Sequence, residues 1–397
     1  MTESHFYERL LSLPEIKIDR VETYSKRIDV YCHSESGSAI CPVCQKPTSI
    51  TNQSYSREIR DLDISGKEVW LHISERQFVC IACNRYFMEK FDWVDPHKSY
   101  TKRQAKWIFD LCAKQPFCEV AALVNMCHKT VERLYYSEAE KQLKLKERYA
   151  QVRKLGIDEL AHRKGKADYC CVLTDLDRGI QLDILPNRKK ETLIAHFQSL
   201  GLEFCQQIEV VSCDIWEPYI LVARTCFPQA KIVIDYFHVV KALNEALDSY
   251  RKSLRHKAPE VASFKKLKWI LFKRNHQCSD AEKQILQNAF NQCAELEEMY
   301  QLRNSFHYTF EFCSTKEQAR WHIEQWLEDA RFLQNKHWNK FLKTLCNWID
   351  YILNYVELRI TNATTEGLNN VIRYLKRISF AIPNFEHMRI RILANSG

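Results

Sequence analysis

Glycine is nearly missing from this sequence, with eight in 397 residues. The closest pair, Gly156 and Gly165, is nine residues apart, which excludes both GxxxxGK[ST] and GxGxxG. Without a glycine-rich phosphate cradle, ATP-driven and NAD-linked chemistry drop out. GxSxG and HExxH are missing as well. No apolar run reaches the ~18 residues a membrane span needs, so no span is expected. The opening stretch, MTESHFYERLLSLPEIK, has no basic segment leading into an apolar core, so no export signal is expected. An enzyme with these gaps is expected to work with carboxylates and metal.

What is present describes a folded, multidomain chain. It is 46% hydrophobic and 27% charged, long enough for several domains of ordinary size. Lys and Arg number 58 against 50 Asp and Glu, a net charge of +8 that is compatible with a polyanionic partner. Cysteine is abundant at 17. Without an export signal, reduced thiols and a metal site in the cytoplasm fit better than disulfides.

Residues 1–90 read as strand-rich and carry two CxxC pairs, Cys41-Pro-Val-Cys44 and Cys80-Ile-Ala-Cys83. Each pair can form a knuckle aiming two thiolates at one ion, and together they complete a closed tetrahedral Zn²⁺ site. Four sulfurs leave no open position, so this zinc is structural. Residues 91–150 then read as three short helices, starting after Ser99 or Thr101 and again near Pro116. A helix-turn-helix and a plain helical hairpin both fit that pattern. In the first case His128, Lys129, Thr130 and Arg133 open the recognition helix, where base and phosphate contacts arise.

The period changes over 151–238. VRKLGIDE, DYCCVLTDL, GIQLDILP, IEVVSCDI and AKIVIDYFH read as strands, with a turn at Asp177-Arg178-Gly179 and helices between the later ones. The order β-β-β-α-β-α-β resembles the RNase H-like fold. Residues 239–354 read as entirely helical and hold five of the nine tryptophans. In 355–397, ATTEGLNNVIRYLKR reads as an amphipathic helix. Its apolar stripe is Leu368, Val371, Ile372, Leu375 and Ile378. Its polar face holds Glu366, Asn369, Asn370, Arg373, Lys376 and Arg377.

Three carboxylates stand out in that layout. Asp158 is read as ending the first strand of the α/β part and Asp214 the fourth, and open sheets build sites at such carboxyl ends. Glu366 opens the later helix and supplies a third acid. Hard cations such as Mg²⁺ or Mn²⁺ take oxygen ligands of this kind, and a metal pair can clamp a phosphoryl displacement. Asp235 is an equally placed strand-end acid, with His238 one turn on as a general acid or base. An aspartate after a strand is also a common turn former. The spacing leaves open whether Asp158 or Glu159 faces the site.

The chain resembles the ISL3 family of DDE transposases along nearly its whole length. The likeness lies in the two CxxC pairs, the helices at 99–140, GIDELAHRKGKADY, VVSCDIWEPY, IVIDYFHVVKALNEALDSYRK, NATTEGLNNVIRYLKR and NFEHMRIRIL. It implies a catalytic triad of Asp158, Asp214 and Glu366, and an RNase H-like core interrupted by an all-α insertion domain. It also implies a prokaryotic, nucleoid-associated enzyme that binds its element's terminal inverted repeats as a homo-oligomer, cuts with Mg²⁺ and joins the freed 3′-OH to target DNA. Asn369, Asn370, Arg373, Lys376 and Arg377 would lie along the DNA. The alternative is a zinc-ribbon and helix-turn-helix DNA-binding protein that has lost the chemistry.

Overall fold

A computed structural model describes residues 3–143, 145–163, 168–263, 266–379, 382 and 384–395. Positions 164–167, inside GIDELAHRKGKADY, lie outside the described residues. The chain divides into two units, residues 1–143 with 376–395, and residues 144–375.

The first unit opens with α1 (Glu3–Leu11) and β1 (Ile16–Thr23), β2 (Arg27–Ser34), β3 (Ala39–Ile40), β4 (Pro47–Thr48), β5 (Thr51–Ile64), β6 (Lys67–Cys80) and β7 (Arg85–Met88). Five strands form one sheet in the order β1-β2-β6-β5, with β7 also on β6. Strands β5 and β6 are a long hairpin joined by Ser65 (φ 52°) and Gly66 (φ 74°). Two positive φ values match the twist a two-residue hairpin loop needs. The short pair β3 and β4 carries the first cysteine knuckle, and the end of β6 carries the second.

Three helices follow, α2 (Lys102–Cys112), α3 (Phe117–Leu123) and α4 (His128–Gln142). Thr101 caps α2 by accepting a bond from the Gln104 amide, and Pro116 stands at the N-cap of α3. Asp61 of β5 is fully buried and ties the sheet to α2. It accepts from the Thr101 hydroxyl at 2.7 Å and from Arg103 Nε at 2.7 Å.

The second unit runs α5 (Leu145–Arg148), β8 (Lys154–Arg163), β9 (Asp168–Asp175), β10 (Ile180–Leu185), α6 (Lys190–Leu200), α7 (Leu202–Gln207), β11 (Val210–Cys213), α8 (Glu217–Cys226) and β12 (Lys231–Ile234). The sheet order is β10-β9-β8-β11-β12, antiparallel across β10-β9-β8 and parallel across β8-β11-β12. Strand β11, Val-Val-Ser-Cys, is buried at every position, as a strand covered on both faces must be. Gly179 takes φ 67° in the turn before β10, and Gly201 takes φ 92° after α6.

From Tyr236 onward every described regular element is helical. These are α9 (Tyr236–Lys257), α10 (Pro259–Ser263), α11 (Leu267–Leu271), α12 (Asp280–Gln292), α13 (Ala294–Phe312), α14 (Lys316–Phe332), α15 (Lys336–Leu358), α16 (Ala363–Ile378) and α17 (Phe385–Ala394), with one 3-10 turn at Asn275–Gln277. Helix α15 packs on α9 and along β12, where Asn354 Nδ2 donates to the Ile232 carbonyl at 2.7 Å. That bond satisfies an acceptor on an edge strand. A single apolar core runs from the sheet into the helices, from Leu155 and Val211 to Phe306, Trp326 and Trp338.

Three readings from sequence need revision. Asp158 does not end a strand: β8 continues to Arg163, because β9 keeps pairing with it after β11 has stopped. The buried stripe of α16 is Thr365, Asn369, Ile372 and Leu375, and Val371 is 41% exposed. Polar residues take part of the inward face because it meets β8, Asn369 bonding Asp158 and Thr365 lying over Gly156. Finally, residues 355–397 do not stay with the sheet as one piece, since 376–395 groups with the first unit. The cause is Arg391 of α17. Its buried guanidinium donates to the carbonyls of Cys112 and Gln115 at 3.2 and 3.1 Å and lies 4.1 Å from the Phe117 ring centre. It thereby satisfies carbonyls orphaned at the end of α2.

Candidate active site

The parallel ladders put three aspartates level with one another. Ile157 pairs with Cys213, and Cys213 with Ile234. The next residue on each strand is therefore Asp158, Asp214 and Asp235. They stand side by side where the backbone ladder ends, and all three are buried. Asp235 also caps α9, accepting from the Phe237 amide. One turn on, His238 turns back, its Nδ1 2.9 Å from Asp214 Oδ1 and 3.4 Å from Asp235 Oδ2. The first contact is close but off-line, so neither atom gains an aligned hydrogen bond.

Asp158 is held on both oxygens. Its Oδ1 accepts from the Glu159 amide at 2.7 Å, and its Oδ2 from Asn369 Nδ2 at 2.7 Å. Burial, with the charge of Asp214 beside it, pushes this carboxyl up to about 7. For His238 burial works against the charge, but the carboxylates of Asp214 and Asp235 outweigh it and raise the imidazole to about 10. Glu159 also lines the cleft, half-buried and ion-paired with Arg188, whereas Asp158 is buried beside Asp214.

Helix α16 closes the cleft. Glu366 in its first turn is exposed and lines the same cavity of about 260 Å³ as the three aspartates, His238, Lys241 and Arg373. Gly156 lets the helix come close, since a Cβ there would meet Thr365 Oγ1 at 3.1 Å and Leu176 Cδ2 at 2.8 Å. Among the described residues, the acid-side group whose ligand atoms all lie within 4.8 Å of one another is Asp214, Asp235 and His238. Asp158 adjoins it, and Glu366 stands at the rim. An excess of buried carboxylate over one imidazolium suits a hard divalent cation.

The sequence grouped Asn369 with DNA-facing positions, but it is 1% exposed and bonded to Asp158, so it cannot lie along a duplex. Asn370, Arg373 and Arg377 are exposed and Lys376 is half-buried. Asn362 was missed. It is 3% exposed, lines the cleft, and has no partner for either end of its carboxamide. Its signal was its place one turn before Glu366.

The cysteine site is more compact. Cys41 and Cys83 sulfurs lie 3.6 Å apart and those of Cys44 and Cys80 3.4 Å apart. Tetrahedral Zn–S bonds of about 2.3 Å require S–S separations of roughly 3.8 Å, so the four thiols fit zinc. Backbone amides of Cys44 and Val43 point at the Cys41 sulfur and bring its thiol down to about 6. All 17 cysteines are unbridged. On α4, His128, Lys129 and Arg133 are exposed and Thr130 half-buried at the helix start.

A zinc ribbon, a helix-turn-helix and an acid-lined α/β cleft in one chain define the transposase class. Three family profiles agree. One described as zinc-finger of transposase IS204/IS1001/IS1096/IS1165 matches residues 38–83, and one described as helix-turn-helix domain of transposase family ISL3 matches 89–138. The ISL3 profile described as transposase matches 155–392, more than half of the chain. The chain belongs to the ISL3 family of transposases. It is 26% identical to the transposase for insertion sequence element IS1001 of Bordetella parapertussis over 384 residues, 95% of this chain and 94% of that one. It is 28% identical to the transposase for insertion sequence element IS1557 of Mycobacterium tuberculosis over 209 residues, 52% of this chain and 46% of that one. Among the described residues no helix is long and apolar enough to cross a membrane.

Proposed function

We propose that this protein is a DDE transposase that binds the terminal inverted repeats of its own element, cuts DNA at their ends and joins the freed 3′-OH to target DNA. The observation that carries this is the register of Asp158, Asp214 and Asp235 across three adjacent strands, with Glu366 on the same cleft. The sheet order, three antiparallel strands followed by two parallel ones, supports an RNase H-like core. The helices from α9 to α15 then form an all-α insertion before the helix that carries Glu366.

Asp158, Asp214 and Glu366 would hold Mg²⁺ or Mn²⁺, which when bound lowers the pKa of the attacking water or 3′-OH and offsets charge on the scissile phosphate. Asn369 fixes the rotamer of Asp158. Asp235 anchors His238, and His238 holds a proton next to Asp214 for the leaving 3′-oxygen. Lys241 and Arg373 place positive charge at the cleft for the phosphate. The zinc ribbon and the start of α4 read the repeats, with His128, Lys129, Thr130 and Arg133 facing DNA. Two ends joined in one event call for a homo-oligomer on DNA, in the cytoplasm at the nucleoid.

The test is cleavage and strand transfer on labelled DNA carrying the element's ends, with wild type and Glu366→Gln side by side in Mg²⁺. Metal-dependent cutting by wild type, lost in the variant while end binding persists, is the expected result. Binding without cutting in either metal would move the protein to the DNA-binding alternative.

A further inference from the structure

Beside the acid cleft lies a second, larger groove of about 710 Å³. It shares Glu159, Asp214, His238 and Lys241 with the cleft, so the two are continuous. Its other walls are the first halves of α9 and α15. Lys336 and Lys340 stand one turn apart on α15, facing the groove with Lys241 of α9. Glu159 is already paired with Arg188, and the other acids on the wall are Asp214, which the cleft shares, and Glu245.

On the groove wall, two residues past Asp214, is Trp216, 39% exposed. The Arg188 guanidinium lies 4.4 Å from its ring centre and 4.4 Å from that of Tyr169. This contact stiffens the indole and leaves much of its surface open to the groove. The part of the ring not covered by Arg188 is kept in water close to the buried carboxylates, where it can act as a stacking surface. The faces of bases in a duplex are covered by their neighbours. An indole stacks readily on a base that has left the duplex, and lysines at helical spacing track the backbone of such a strand.

We propose that this groove binds one unpaired DNA strand, with a base at the cleavage point stacked on Trp216 and the flanking phosphates on Lys241, Lys336 and Lys340. The inference rests on the reading of the neighbouring cleft as the DNA-cutting site. It adds that the duplex is opened at the element's end before or during cutting.

The probe is a single-stranded oligonucleotide of the element's terminal sequence carrying 5-iodouridine, photocrosslinked to the full-length protein without metal, with the crosslinked peptide identified by mass spectrometry. Binding is read by anisotropy beside the duplex of the same sequence. Crosslinking at Trp216 is expected. Trp216→Ala should weaken single-strand binding roughly tenfold or more, the scale of a lost base stack, while Trp216→Phe keeps most of it. Lys336→Glu with Lys340→Glu, both exposed positions, should flatten the salt dependence of that binding by about two phosphate contacts. Duplex binding should move less than about twofold in all three. On DNA mismatched at the cut, Trp216→Ala should regain cleavage that it loses on paired DNA. Crosslinks confined to other peptides, or single-strand binding unchanged in Trp216→Ala, would overturn the proposal. Crosslinking at Trp216 by a protein that never cuts DNA would instead leave the groove standing and remove the transposase reading of the cleft.

Discussion

The two clusters of candidate metal ligands in this chain are built on opposite plans. The four cysteines come from two local knuckles, already sit near the spacing zinc imposes, and use every coordination position on protein sulfur. The acid cleft gathers its groups from three strands and two helices, and its carboxylates repel one another. It relies on His238 for partial neutralisation and leaves Glu366 in solvent at the rim. A closed cluster gains by holding its ion permanently, and its binding energy belongs to folding. An open one must admit a substrate oxygen, so it gives up self-sufficiency. Under the proposed function, the difference separates the cluster the fold needs from the one the reaction needs.

The largest expected effect breaks the comparison on the zinc side. Structural zinc sites contribute on the order of 10 kcal/mol of apparent binding energy, so Cys80→Ser or strong chelation should unfold both knuckles and the β3–β4 pair. One zinc per chain by mass spectrometry, and a large fall in melting temperature on its removal, are expected. A chain that keeps its melting temperature without zinc would show that the long β5–β6 hairpin alone holds this end. Asp214→Asn is the counterpart. Cleavage should fall by at least about 10³-fold, the scale of a lost electrostatic contact to the reacting centre, with unfolding free energy changed by no more than about 1 kcal/mol. A collapse of the fold in this variant would erase the distinction between the two clusters.

How far each cluster was legible in sequence follows the same divide. CxxC spacing is a local geometric statement, so Cys41, Cys44, Cys80 and Cys83 could be read directly. The order of strands and helices was also legible, because buried parallel strands are short apolar runs ending in charge. Register was not. That Asp158, Asp214 and Asp235 are level depends on the register of β11 against β8, paired Val210 to Lys154, and against β12, paired Val210 to Lys231, and β8 runs through its aspartate because β9 holds it. Asn369 and Asn362 were misread or missed, since apolar periodicity makes amides look like surface. The return of Arg391 to the end of α2 joins residues 279 apart in sequence, and no local pattern announces it.

Two histidines of the second unit, His307 buried and His238 half-buried, sharpen the contrast through pH. His307 on α13 is buried and shares a hydrogen bond with the Tyr236 hydroxyl at 2.9 Å. Burial, aided by the charges of Arg303 and Arg274, pushes it down to about 4. Its folded value lies below its unfolded one, so the unfolded chain binds more protons between about 4 and 6.5. Stability is intact above that window and falls as pH drops through it, by at most about 3 kcal/mol. His307→Asn should flatten that slope in urea titrations of metal-free protein between pH 7 and 4. His238 has the opposite sign. Its folded value near 10 lies above the unfolded one, so its contribution is complete below about 6.5 and is lost as pH rises toward 10. Acidification from pH 7 to 5 should therefore leave the His238 contribution in place while the His307 contribution declines. An acid slope unchanged by His307→Asn would mean that the carboxylates of the cleft dominate that range.

The smallest effect concerns Asn362, a polar group that the fold buries without a partner. An unmatched buried amide costs about 1–3 kcal/mol, and an apolar group of the same shape removes that cost. Asn362→Leu should therefore leave the metal-free protein as stable as wild type or up to about 1 kcal/mol more stable. The same change should lower the rate of cutting in Mg²⁺, because the carboxamide faces the cavity that Asp158, Asp214 and Glu366 share. Asn362→Asp, which keeps the shape and adds another acid, should tighten metal binding and still cut poorly. If Asn362→Leu lowers stability and activity together, the amide belongs to packing, and the cleft resembles the cysteine site more than its open rim implies. If stability holds and only the rate falls, the fold tolerates an unsatisfied amide there because the reaction uses it.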